Sequence, residues 1–164
     1  MRQIKFLAAS TRAALVGLLL LAPATSQTNL SQDDPILGTW SDVTTVIDPP
    51  PGFPTGFTTV VSFSREGNLI VASNVPNVTA AQGSFTRTTK NRYTDTFYFF
   101  RPDPNSPLLL TTRVVENILV SPNGNNYVAT VLIEPLDVNG NVLIQIHATV
   151  SARRFPIGAY TVLP

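Results

Sequence analysis

Three acidic residues stand inside stretches that read as strands. Asp95 lies in "TDTFYFF", Glu116 in "RVVENI", and Asp42 alternates with Trp40. Side chains on a strand change face at every residue, so Asp95 shares a face with Tyr93, Phe97 and Phe99. A carboxylate on an apolar face needs a cation beside it or a raised pKa, because burial penalises charge. Arg113 and Arg87 are the cations the sequence offers. An inward Asp95 or Glu116 is a candidate ligand anchor or general acid–base. The competing reading is an ion pair of purely structural use.

Other chemistries find less support. His147 is the single histidine and there is no cysteine, so no metal site is expected. His147 shares a face with Gln145 and Thr149, the polar side, which argues against a Ser-His-Asp site. "DVNGN" sets Asp137, Asn139 and Asn141 at alternate positions, as a calcium loop begins. Val142 then stands where that loop needs Gly, and Ala148 where it needs Glu. The stretch reads as a turn. No catalytic residue and no cofactor is assigned.

The elements that must position these residues are strands. Eight runs rich in Val, Ile, Thr, Phe and Tyr alternate with turn signals. They cover Leu37–Ile47, Phe57–Ser64, Leu69–Ser73, Gln82–Thr88, Tyr93–Arg101, Leu108–Val120, Tyr127–Glu134 and Val142–Phe155. No sustained helical period occurs in them. The connections "REGN", "TKNR", "SPNGNN" and "DVNGN" are short, and short turns force antiparallel neighbours. The expected fold is all-β, an eight-stranded antiparallel up-and-down barrel, since closure removes both exposed edges. Phe57, Thr59, Val61 and Phe63 share one face of the second strand. Val142, Ile144, Ile146, Ala148 and Val150 make an apolar stripe in the last. The sixth strand carries Leu or Val on both faces, leaving its inner face open.

Two connections are proline-rich, "DPPPGFPTG" at 48–56 and "RPDPNSP" at 101–107. In a meander they turn at the same end, which makes that end the entrance. Trp40 opens the first strand and Arg153 and Arg154 end the last. These strands are neighbours in a closed meander, so Trp40 and an arginine meet at the opposite end. Arg154 continues the stripe of Ile146 and Val150, and a guanidinium over an indole would close that end.

Residues 1–24 have the order of a signal peptide: basic Arg2, Lys5 and Arg12, the apolar run Ala13–Ala22, then Ala22-Pro23-Ala24. Ten apolar residues are too few to span a bilayer, so no lasting membrane anchor is expected. The cut falls after Ala24 or Ser26. Residues 25–36 read as a flexible tail, and residues 37–164 as the barrel domain. Removing Arg2, Lys5 and Arg12 leaves eight basic against ten acidic side chains, a net charge of −2. No basic patch then argues for nucleic acid. An exported chain without cysteine holds itself by packing and strand pairing. The Asn29 and Asn77 sequons matter only in a eukaryotic source.

Gly38-Thr39-Trp40 opening the first strand, the long loop after it, eight strands and a late Arg154 resemble the lipocalins and the wider calycin group. "GTW", an Asn-Gly hairpin and the ending Ala152-Arg153-Arg154 are similar to the small bacterial lipocalin-like proteins. The resemblance implies a secreted or periplasmic barrel that binds a small apolar or amphipathic molecule. Phe57, Phe63, Tyr93, Asp95, Phe97, Phe99 and Glu116 are then the cavity candidates, and Trp40 and Arg154 the closure. Two alternatives stand beside it. One is a barrel isomerase or cyclase, which needs Asp95, Glu116 or Arg113 inside. The other is an interaction module such as an inhibitor, using the proline-rich loops or the tail.

Overall fold

The computed structural model describes residues 30–102 and 109–155. The signal-peptide reading, most of the "RPDPNSP" loop and the last nine residues lie outside them. Eight strands follow in order: β1 Gly38–Val46, β2 Gly56–Phe63, β3 Asn68–Ser73, β4 Ala81–Thr89, β5 Arg92–Pro102, β6 Leu109–Val120, β7 Asn126–Leu136 and β8 Ile146–Arg154. Each pairs antiparallel with its sequence neighbour, and β1 pairs with β8 to close the barrel. No helix occurs among the described residues.

Alternation fills the interior. In β6, Thr112, Val114, Glu116, Ile118 and Val120 are buried and face inward, which fixes the face the sequence left open. In β5, Tyr93, Asp95 and Phe97 are buried. An eight-stranded barrel is just wide enough to be filled by side chains or to hold one small ligand. Here both occur, at opposite ends. Gly83 of β4 faces inward against Phe97: a Cβ there would lie 2.1 Å from the Thr96 carbonyl oxygen and 2.5 Å from Phe97 Cβ. The missing side chain lets β4 and β5 approach closely at that level.

The two ends differ in their connections. One end carries the short turns 64–67, 90–91 and 121–125, with both ends of the barrel sequence. The other carries the connections 47–55, 74–80, 103–108 and 137–145.

The last strand departs from expectation. β8 begins at Ile146, not Val142, and only Ile146, Ala148, Val150 and Ala152 form its buried stripe. Val142 and Ile144 are exposed. Asp137 accepts bonds from the backbone of Asn139 and Asn141 and from Asn141 Nδ2. That turn returns the chain through one isolated bridge, Leu136 with Val142. Gln145 then bonds Glu134 on the outer wall, at 2.9 Å. The side-chain ties of Asp137 and Gln145 divert the segment from the ladder.

Packing also reaches back before β1. Leu30 and Ile36 are buried in the core, and Asp34 is buried with them. Part of the stretch read as a tail thus lies against the barrel end.

Candidate functional site

The end carrying the short turns is solid. Residues 31–37 cross it in two turns, closed by Asp34 N–H to Ser31 O and Leu37 N–H to Asp34 O. Trp40, fully buried, donates from Nε1 to Ile36 O at 2.8 Å. The Arg154 guanidinium lies over the indole, 4.4 Å from its centroid. It donates to Leu37 O and Pro35 O, each at 2.7 Å, and to Gly124 O at 3.0 Å. Gly38 has φ +110°, and a Cβ there would stand 3.0 Å from Arg154 Nη1. The glycine of "GTW" is thus required by backbone conformation and by the arginine together.

Phe63 and Tyr93 belong to this plug rather than to a cavity. Phe63 packs edge-on against Phe85 at 5.0 Å. Tyr93 donates to Asp34, and Arg87 pairs with both. Burial, and then the Asp34 bond, push the Tyr93 phenol up to about 12. Both residues were placed among cavity candidates by their inward faces, which the structure keeps. Their depth is what differs: each sits at the strand end nearest the plug.

Above the plug a cavity of about 320 Å³ opens among the long connections. Phe57, Phe97, Phe99 and Glu116, all named from the sequence, line it. Val61, Val71, Val114, Val131 and Ile133 supply more apolar wall, and Thr44, Thr59, Ser73 and Thr112 a few hydroxyls. Gly52, Phe53 and Pro54 of the first proline-rich loop, and Arg101 and Pro102 at the start of the second, rim it. Mostly apolar walls with a few convergent polar groups are the composition of small-molecule sites. Thr112 and the 74–79 loop are lining the sequence did not single out: the inner face of the sixth strand was open, and a loop carries no strand period to place it.

Asp95 faces inward but stands behind the lining. It is the direct cross-strand partner of Glu116, and the two are 2% and 6% exposed. Neither Asp95 oxygen has a hydrogen-bond partner of normal geometry among the described residues. Burial raises the Asp95 carboxyl well above its usual range, the Glu116 backbone opposes the rise, and the Asp42 charge adds to it. Glu116 is raised well above its range by burial, then by Asp95 and Asp42. Asp42 completes the group. Its Oδ2 accepts from Tyr127 Oη at 2.6 Å, with Thr59 Oγ1 at 3.5 Å. Burial raises it to about 6 against the lowering by these bonds.

Among the described residues no cation pairs with these three carboxyl groups. Arg113 projects outward and pairs with Glu134 on the neighbouring strand, at 2.7 Å. Arg87 points inward but is held by Asp34 and Tyr93 in the plug. Both partners expected from sequence are therefore spent elsewhere, and burial shifts all three carboxyl groups toward the neutral form. Among the described residues no cluster of three or more acidic, histidine or cysteine side chains has metal-binding geometry. His147 lies on the exposed outer face.

Compared with protein-family models, curated proteins and solved structures, the chain shows no significant match to any of them.

Proposed function

We propose that this chain is an exported, lipocalin-like barrel that binds a small apolar or amphipathic molecule in its open end. One observation carries the reading: the cavity of about 320 Å³ walled by Phe57, Phe97, Phe99 and valines. A barrel packed solid throughout would have argued against it. Here the plug supplies rigidity at one end and leaves the other for a guest. Export rests on the leader read in residues 1–24. The ligand enters past the first proline-rich loop, whose prolines fix φ and lower the entropic cost of holding the rim in place.

Native mass spectrometry of protein purified without denaturation tests this reading. A co-purifying small molecule, or saturable uptake of an apolar fluorescent probe, is expected. Val114→Trp fills the cavity and should abolish uptake while the circular dichroism spectrum stays that of the barrel. Uptake unchanged by Val114→Trp would place the probe elsewhere and remove the reading.

A second reading, a barrel isomerase or cyclase, is favoured by the Asp95–Glu116 pair. Two carboxyl groups that cannot both ionise cheaply can share a proton and serve as acid and base. Turnover of a bound compound, lost in Glu116→Gln, would favour it over simple binding.

A further inference from the structure

One acidic residue lines the deep end of the cavity. Glu116 lines the cavity, and Asp95 stands directly across the strand pair from it. Both Asp95 oxygens and Asp42 Oδ1 are buried without a partner among the described residues. A buried polar group left unpaired costs more than a typical hydrogen bond returns, so these three oxygens are open to a donor. The groups facing Glu116 are Asp42 from β1, Asp95 from β5 and Tyr127 from β7, and no cation is among them. Arg87 is engaged by Asp34 in the plug. Arg101 lines the rim of the same cavity, with its Nε buried and unpartnered among the described residues, and its backbone stands six residues along β5 from Asp95, roughly 20 Å of strand. The walls beside the floor are phenyl rings, whose faces attract cations.

Resting on the binding reading above, we propose that the cavity takes an alkyl- or arylalkyl-amine. Its ammonium is set against Glu116, with Asp95 behind it, and its carbon skeleton against Phe57, Phe97 and Phe99. An ammonium brings three donors and the charge the floor lacks. A fatty acid would bring a second acceptor to the floor, or leave the carboxyl groups facing its tail. The step balances simply. The ammonium enters, one carboxyl group of the pair ionises, and its proton leaves to solvent.

Calorimetry with phenylbutylamine, phenylbutanol and phenylbutyrate tests the assignment, since the three differ only at the head group. At about pH 7 the amine should bind roughly tenfold or more tightly than the alcohol, as expected for a charge-assisted bond over a neutral one. Repeating the titration in two buffers of different ionisation enthalpy should show roughly one proton released per amine. Glu116→Gln should erase both the preference for the amine and the proton release. Asp95→Asn, a second variant outside the cavity lining, should reduce the proton release. Equal binding of amine and alcohol, preference for the acid, or amine binding without proton release would overturn the amine assignment while the binding reading stands. No binding of any of the three, with a folded barrel, would overturn both.

Discussion

At the residue scale, the three inward carboxyl groups make stability depend on pH in an unusual direction. Asp42, Asp95 and Glu116 all have raised pKa values. Between its unfolded and folded pKa, such a group holds its proton only in the native state. Stability therefore falls as pH rises through that window. For Asp42, raised from 3.8 to about 6, the loss is on the order of 3 kcal/mol, present in full above about pH 7. Urea unfolding should show a higher midpoint near pH 4–5 than near pH 8. Asp95→Asn should flatten this dependence and stabilise the barrel by about 1–3 kcal/mol at pH 8. A midpoint that rises between pH 5 and pH 8 would contradict the protonated floor. The inward placement of Asp95 and Glu116 was legible from alternation alone. Arg113 could have been discounted by the same rule, since three residues separate it from Glu116 and put it on the opposite face. The capture of Arg87 by Asp34 was not legible, because the segment around Asp34 carries no period to place it.

At the element scale, the closed end depends on a single side chain that ties three segments. Arg154 ends β8, covers Trp40 in β1, and binds carbonyls of the N-terminal segment and the β6–β7 turn. A lysine keeps the charge but not the planar fork that reaches three acceptors at once. Arg154→Lys should cost about 1–3 kcal/mol in urea unfolding, with the burial of Trp40 partly lost. Because Trp40 is the only tryptophan, a red shift of its emission reports that loss directly. A variant as stable as the parent would mean the guanidinium contacts are incidental. The meeting of Trp40 with Arg154 could be read from closure of the meander. The start of β8 could not. Val142 and Ile144 keep a period of two, and period alone does not reveal that Asp137 and Gln145 bond elsewhere.

At the scale of the whole molecule, every strand pairs with its sequence neighbours, and one long-range seam between β1 and β8 completes the wall. The eight-stranded order was legible because turn chemistry and strand period agreed along nearly the whole chain. The division into a solid end and an open end was less so. It follows from loop length, short at one end and long at the other, and from the burial of Leu30 and Ile36, which composition assigned to a tail. The aromatic residues illustrate the difference. Phe63 and Phe97 are equally inward, yet one sits in the plug and the other lines the cavity, because depth along the axis depends on register.

The seam has a further consequence. Phe155 N–H donates to Thr39 O at 2.8 Å, so the two extremities of the barrel wall touch. A Gly/Ser bridge from Phe155 to Leu30, at the start of the plug segment, could join them, and the chain could be opened instead at Asn123–Gly124 or Lys90–Asn91. Circular permutants cut at either turn should fold and keep the cavity, as insertions and cuts at exposed loop tips commonly allow. Cutting at Lys90–Asn91 leaves Arg154 its Gly124 carbonyl. Cutting beside Gly124 loosens one of its three acceptors, so that permutant should be the less stable of the two by thermal melting.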